Sequence, residues 1–246
     1  MKFRTKAAFA AALFFADALL LALPVMKTGY RQRDAGLSAV SSPEREEGTR
    51  SSGVLAGESL KDAGFLALTF DDGPDPVYTG PLLDGLKERN VRATFFLSGE
   101  RISGNEELVR RMAEEGHLIG VHCLNHTDLT KEPLKKALSD ISLVRSRIGE
   151  ITGVRPEYMR PPFGKISDGL FESLDMEIAL WSVDSLDWKL QDAGKITERV
   201  LRDVRDGDII LMHDEFDASL KAAFEIIDKM KEKGYTFVTV DEIQIE

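Results

Sequence analysis

Cysteine is almost missing from this chain. The single residue, Cys123, excludes an internal disulfide framework, although large domains fold outside the cell without one. A positive charge surplus is also missing. Against 42 Asp and Glu stand 32 Lys and Arg, a formal net charge of -10, so the surface carries no general basic footprint for nucleic acid. Histidine is scarce, with four residues, which makes its placement informative. Hydrophobic residues are plentiful, at 43% of 246 positions. That suffices for the core of one good-sized domain or two small ones.

The N-terminus speaks to location. Lys2, Arg4 and Lys6 precede an apolar stretch from Ala7 to Met26, the pattern of an export signal or a membrane anchor. The stretch is about as long as a bilayer-spanning helix requires. Asp17 in its middle costs roughly 2.5–3.5 kcal/mol at mid-membrane. No small-x-small cleavage site follows, so an uncleaved anchor over residues 1–28 is favoured over a removed signal peptide. A buried core helix fits poorly, because the run is apolar all round and borders a polar tail. The rest of the chain is expected outside the cytoplasm, although Lys27, Arg31 and Arg33 weaken the charge asymmetry. Residues 29–62 are rich in Ser, Gly, Glu and Arg with no apolar period, which predicts a flexible polar stalk.

From residue 63 to 246, strand-like runs alternate with helical patterns. Strands are predicted at Phe65–Phe70, Ala93–Leu97, His117–Val121, Glu157–Arg160, Glu177–Val183, Asp208–Met212 and Tyr235–Val240. Helices are predicted at Pro81–Arg89, Glu106–Glu115, Pro133–Ile151, Ile196–Val204 and Ala218–Lys233. In the longest of these, Leu134, Leu138, Ile141, Val144 and Ile148 form one stripe. About seven strands alternating with helices predict an α/β fold with a parallel sheet, and a closed or nearly closed (β/α) barrel suits the length. In such barrels function sits at the C-terminal strand ends. Asp71, His122, Arg160, Asp184 and His213 each follow a predicted strand.

These residue types suggest a hydrolytic site. Asp71 and Asp72 leave a strand together, and alternation predicts opposite faces for them, with Gly73-Pro74 turning the chain so that both are exposed. Alone, this segment also reads as an ordinary turn. His122 and His126 are spaced to meet on one side of a helical turn, or they are a surface pair. With Asp72 they make two nitrogens and one oxygen, a donor set that accepts Zn, Co, Ni or Mn and leaves positions open for water and substrate. His117 has no such partner and reads as structural or surface. A guanidinium at Arg160 can hold a carboxylate in its ionised form, or join an ordinary loop salt bridge. Asp184 and Asp187 can each orient a histidine, with Trp188 beside them as an apolar wall. Trp181 and Trp188 read equally well as core. His213 is then left for an acid role, against the plainer reading of a hydrogen-bonded core histidine.

Five segments in order, TFDDGP, HCLNH, RPPFG, DSLDW and LMH, resemble the motifs of the polysaccharide deacetylases (NodB-homology, carbohydrate esterase family 4). The resemblance covers nearly all of Phe65–Val240. It implies a distorted (β/α) barrel, often of seven strands, a divalent metal, commonly Zn2+, and removal of acetyl groups from N-acetylated sugars. By motif match it implies Asp71 as general base and Asp72, His122 and His126 as metal ligands. Arg160 matches the residue that positions Asp71. His213 matches the general acid, supported by Asp187 in preference to Asp184. Leu211 and Trp188 match the walls of a small acetyl pocket, and Phe163 lends a backbone N–H. Two departures stand out. Cys123 replaces a frequent Ser or Thr, so a less rigid loop is expected, with the thiol packed or, alternatively, an added ligand or oxidation-sensitive spot. Phe163 replaces a frequent Tyr. The implied substrate is an acetylated glycan, foremost the N-acetylglucosamine of peptidoglycan reached from the membrane. N-acetylmuramic acid, chitin-type oligomers, an exopolysaccharide and O-acetyl xylan are the alternatives, and a glycan-binding pseudoenzyme is the non-enzyme reading. The sequence indicates no oligomeric state.

Overall fold

The structure, a computed structural model, describes residues 64–243. The anchor expected over 1–28 and the stalk expected over 29–62 lie outside the described residues. Among the described residues, no helix is long and apolar enough to cross a membrane.

The chain alternates strand and helix. β1 (Gly64–Asp71), α1 (Thr79–Glu88), β2 (Thr94–Ser98), α2 (Gly99–Ile102), α3 (Glu106–Glu114), β3 (Leu118–Cys123), α4 (Leu134–Thr152) and β4 (Tyr158–Met159) make the first half. α5 (Asp168–Ser173), β5 (Glu177–Ile178), β6 (Val183–Asp184), α6 (Asp187–Leu190), α7 (Ala193–Asp203), β7 (Ile209–His213), α8 (Asp217–Glu232) and β8 (Tyr235–Val238) make the second. All strand pairings are parallel, in the order β5-β4-β3-β2-β1-β7-β6. Ala67 pairs with both Ile209 and Val238, so β7 and β8 take opposite edges of β1. β8 covers Gly64–Ala67, and β2 begins its pairing at Thr69. β5 and β6 end the path, and among the described residues they do not pair. The barrel is therefore open along one seam, as the distorted barrel of about seven strands predicts.

Continuous apolar runs form these strands because both sheet faces are covered. β1 is buried without interruption from Leu66 to Asp71. The outer face packs against helices through Leu68, Phe70, Phe95, Val121 and Ile210. The inner face holds a smaller cluster of Ala67, Phe96, Ala179 and Ile209. α4 presents Ala137, Ile141, Val144 and Ile148 to the sheet and ends at Gly153, whose φ of 77° suits a left-handed cap. The predicted stripe starts a turn late: Leu134 is 43% exposed and Leu138 half-buried.

One predicted strand is broken. Glu177–Val183 reads as a single run, yet it forms β5 and β6 on opposite sheet edges. Between them, the Ala179 and Leu180 carbonyls accept hydrogen bonds from Arg160 Nε at 2.9 Å and Nη2 at 3.0 Å. The backbone there serves a buried guanidinium, and the chain crosses the seam.

His117 belongs to the core. It is 7% exposed, its Nδ1 accepts from the Ala93 N–H at 3.1 Å, and its ring meets Phe95 edge-on. Burial pushes its pKa down from 6.5 to about 4, against the pull of Glu115. The folded protein keeps this ring neutral while the unfolded chain takes up a proton below the ordinary value. Stability is therefore lost as pH falls from about 6.5 towards 4, by about 3 kcal/mol at the lower end. His117→Asn, whose amide oxygen can accept the same N–H, is expected to flatten melting temperature against pH over that interval. A wild-type slope in the variant would show that His117 does not cause it.

Candidate active site

The strand ends converge on one rim. Asp71 closes β1 and pairs in register with His213 at the end of β7. Its carboxyl is 3% exposed. Arg160, immediately after β4, reaches through the barrel interior and places Nη1 2.8 Å from Asp71 Oδ1. The guanidinium lies 4.2 Å from the centre of the Phe96 ring. Burial lifts the Asp71 carboxyl above the ordinary carboxylate range, against the pull of Arg160 and His213. A carboxylate lifted in this way is a better proton acceptor.

Asp72 does not follow the alternation expected of a strand. Its φ is 74°, a left-handed turn that swings its side chain to the same side as Asp71. Asp71 Oδ2 lies 3.9 Å from His122 Nδ1, and Asp72 Oδ1 lies 3.3 Å from His122 Nε2. The turn leaves Asp72 partly open while Asp71 stays buried, so only one of the pair is exposed. His122 and His126 are not on a helical turn either. His122 lies within β3, and His126 sits in the loop beyond it with φ of 24°. The loop brings the two rings to 5.2 Å and His126 Nε2 to 3.6 Å from Asp72 Oδ1.

Asp72, His122 and His126 each offer a donor atom, all within 4.8 Å of one another. His122 Nδ1 is 2.7 Å from the Arg160 carbonyl oxygen. A carbonyl only accepts, so Nδ1 carries the proton and the Nε2 lone pair faces Asp72. Burial drives the His122 pKa down to about 3, which keeps the ring neutral. His122 Nε2 and Asp72 Oδ1 are both buried without a hydrogen-bond partner. Two orphaned atoms facing each other, one neutral nitrogen and one carboxylate oxygen, fit a divalent cation.

His213 stands opposite. Its Nδ1 is 2.8 Å from Asp187 Oδ1, and its backbone N–H donates to Asp187 Oδ2 at 2.7 Å. Ser219 Oγ donates to the same oxygen at 2.7 Å. Burial works to lower the His213 pKa. The hydrogen bond and charge of Asp187, with Asp71 and Asp72, outweigh it and lift the value to about 9. His213 is thus protonated at neutral pH, with Nε2 3.9 Å from Asp72 Oδ2.

Residues 60–177 match the polysaccharide deacetylase family. The peptidoglycan-N-acetylglucosamine deacetylase PgdA of Listeria monocytogenes is 41% identical over 178 residues, 72% of this chain and 38% of that protein. The peptidoglycan-N-acetylmuramic acid deacetylase PdaC of Bacillus subtilis is 42% identical over 179 residues, 73% of this chain and 38% of that protein. Its solved structure superposes with a TM-score of 0.72 over 74% of this chain and 90% of that one. A peptidoglycan-N-acetylglucosamine deacetylase of Bacillus cereus is 35% identical over 199 residues, 78% of this chain and 93% of its own length. The chain belongs to the polysaccharide deacetylase family. It spans 38% of the length of PgdA and PdaC.

The remaining rim residues have distinct surroundings. Asp187, not Asp184, meets His213. Asp184 caps its own turn, its Oδ1 accepting from the Leu186 N–H at 2.9 Å and its carbonyl accepting from Arg199 Nε at 2.8 Å. Leu211, 5% exposed, lies two residues before His213 on the same strand face. Trp188 is 52% exposed beside Asp187, and Phe163, 56% exposed with φ of 60°, sets its ring edge-to-face on His126 at 4.7 Å. The sequence reading missed Ser219 and Thr69. Ser219 lies on α8, and Thr69 Oγ1 accepts from Arg160 Nη1 at 2.7 Å. Neither carries a local signal, since each is linked to the site only by the fold.

Cys123 is packed, as one of the two readings expects, but it also holds the loop. Its sulfur accepts the His126 N–H at 3.0 Å and lies 3.3 Å from Ser98 Oγ. Burial pushes the thiol pKa up to about 12, so it is a neutral acceptor that holds the loop as a hydroxyl would. Cys123→Ser is expected to keep the zinc affinity of the wild-type protein, measured by competition with a chromophoric chelator. Cys123→Val, similar in shape but without an acceptor, is expected to weaken it about tenfold. Equal affinities in both variants would remove the sulfur from any part in holding the loop.

Proposed function

We propose that this chain is a metal-dependent polysaccharide deacetylase that hydrolyses N-acetyl groups of N-acetylglucosamine residues in peptidoglycan. The observation that carries the reading is the pairing on one rim of a buried carboxylate, Asp71, with a protonated imidazole, His213. The convergent donors of Asp72, His122 and His126 lie beside them. Asp72, His122 and His126 would hold the cation, Zn2+ foremost, with Co2+, Ni2+ or Mn2+ compatible with the same donors. When bound, such an ion supplies Lewis-acid polarisation of the acetamide carbonyl and acidifies a water.

The remaining chemistry belongs to the side chains. Asp71 takes a proton from the attacking water, and Arg160 keeps Asp71 ionised and aimed. His213 Nε2 hands a proton to the leaving amine, while Asp187 accepts from Nδ1–H and fixes the ring. Leu211 and Trp188 exclude water around the acetyl methyl. The Phe163 backbone N–H donates to the developing oxyanion. Acetate and a free amine remain.

Peptidoglycan is the substrate because the relatives are described as acting on it, two at N-acetylglucosamine and one at N-acetylmuramic acid. The 42% identity to PdaC makes N-acetylmuramic acid the second reading. The basic and apolar N-terminus supports an extracytoplasmic site of action at a bacterial cell wall, with the apolar segment as membrane tether.

Acetate release by the full chain, supplied with zinc, tests this on N-acetylglucosamine oligomers and on purified peptidoglycan in parallel. Asp71→Asn is expected to lower kcat by about 10²–10⁴ while zinc affinity survives, and His126→Ala to lower both together. No release from either glycan by zinc-loaded protein would overturn the reading in favour of glycan binding alone. The acid group adds a pH signature. Activity needs His213 protonated, so it falls as pH rises through about 9. Asp187→Asn removes the charge that raises this value, and the alkaline limb is expected to move to lower pH. An unmoved limb would exclude His213 as the group that sets it.

A further inference from the structure

Asp214 is a buried acid that the mechanism leaves unused. It follows His213 directly and is 0% exposed. Oδ2 accepts a hydrogen bond from Thr79 Oγ1, and Oδ1 has no partner among the described residues. Thr79 is itself 0% exposed and accepts the Asp75 N–H at 2.7 Å. An apolar side chain would fill this position without the cost of desolvating a carboxyl. Stability alone therefore does not explain an acid here.

The carboxyl group lies directly on Gly73. A Cβ at Gly73 would stand 2.4 Å from both Asp214 oxygens and 2.7 Å from Cγ. Gly73 does not have left-handed φ, so space rather than backbone freedom requires glycine there. On its other side, the Gly73 carbonyl accepts the Ser98 N–H at 2.9 Å. Ser98 Oγ meets the Cys123 sulfur, which accepts the His126 N–H. A line of direct contacts thus runs from the residue after the acid, through the neighbour of Asp72, to the His122–His126 loop.

We propose that Asp214 is a positioning residue: seated on Gly73 and held by Thr79, it fixes the loop bearing Asp72 against the strand bearing His213. This rests on the deacetylase reading for its consequence on turnover, but not for its consequence on metal binding.

A double-mutant cycle in the full 246-residue chain tests it, with zinc affinity read by chelator competition and acetate release from N-acetylglucosamine oligomers read alongside. Gly73→Ala is expected to weaken zinc binding about tenfold and to lower kcat, because its methyl collides with the carboxyl group. Asp214→Ala alone should weaken zinc binding several-fold, and combined with Gly73→Ala it should add no further loss, since the methyl then occupies vacated space. A wild-type affinity in Gly73→Ala, or losses that simply multiply in the double variant, would overturn the inference. Thr79→Val, nearly the same shape, keeps the test open should the alanine variants fail to fold. It should weaken zinc binding several-fold and lower kcat more than it changes KM, and unchanged values would equally overturn the inference. Wild-type protein that binds zinc but releases no acetate would sink the proposed function and still leave the clamp to be judged on zinc affinity.

Discussion

A guanidinium without access to solvent sits inside the barrel, and both sheet and site are arranged around it. Arg160 uses four of its five N–H donors, on Ala179 O, Leu180 O, Thr69 Oγ1 and Asp71 Oδ1. Its backbone N–H donates to Val121 O at 2.9 Å, and its carbonyl accepts from His122 Nδ1. One residue thus bridges β1, β3 and the open seam, holds Asp71, and sets the tautomer of His122. Such a pair is not chiefly a stabilising device, because burying two charges offsets much of their attraction. Removing one partner, however, leaves an uncompensated charge at a cost of about 3–5 kcal/mol. The fold and the site therefore stand or fall together at this residue.

Much of this was legible in the chain. Unbroken apolar runs gave away strands covered on both faces, and i, i+3, i+4 stripes gave away the helices. Five short segments marked the rim. What was not legible shares one cause: a distant group overrides a local pattern. Glu177–Val183 has the composition of one strand, but a side chain from residue 160 claims its carbonyls. Asp71 and Asp72 should face apart, but a left-handed residue turns the second back. His122 and His126 have helical spacing, but a sulfur acceptor shapes a loop instead. Ser219, Thr69 and Thr79 are ordinary hydroxyl residues in sequence, and become partners of the site only because α8, β1 and α1 bring them there.

The rim also divides proton affinities among like groups. Three buried carboxyls each have a different environment. Asp71 faces a permanent cation, whose pull opposes the rise that burial imposes. Asp187 takes four donors, from Ser219 Oγ, the Trp188 backbone N–H, and the backbone N–H and Nδ1 of His213, and its pKa is held below the ordinary range against burial. Asp214 has one hydroxyl and no cation, and burial pushes its pKa up to about 7. The same principle separates the histidines. Hydrogen-bonded to Asp187, His213 is lifted to about 9 against burial, whereas burial drives His122 down to about 3 against the pull of Asp72 and the Arg160 carbonyl. A carboxylate bonded directly to Nδ1 outweighs burial at one imidazole, and burial prevails at the other, so the first is protonated and the second neutral.

Cys123 shows how such a site tolerates a change of atom. A thiolate beside Asp72 and two histidines would compete for the cation and be open to oxidation. Burial among Ser98, the His126 backbone and the β2–β3 ends makes ionisation costly, so the sulfur remains a thiol with lone pairs to accept the loop N–H. Sulfur is larger than oxygen and accepts at longer range, and the 3.0 Å approach leaves the histidine loop in the geometry that brings the rings to 5.2 Å. The constraint at this position is on an acceptor of the right reach, held neutral by its surroundings. A thiol meets it as long as water and charge are kept away, so the replacement depends on the packing around it as much as on its own chemistry.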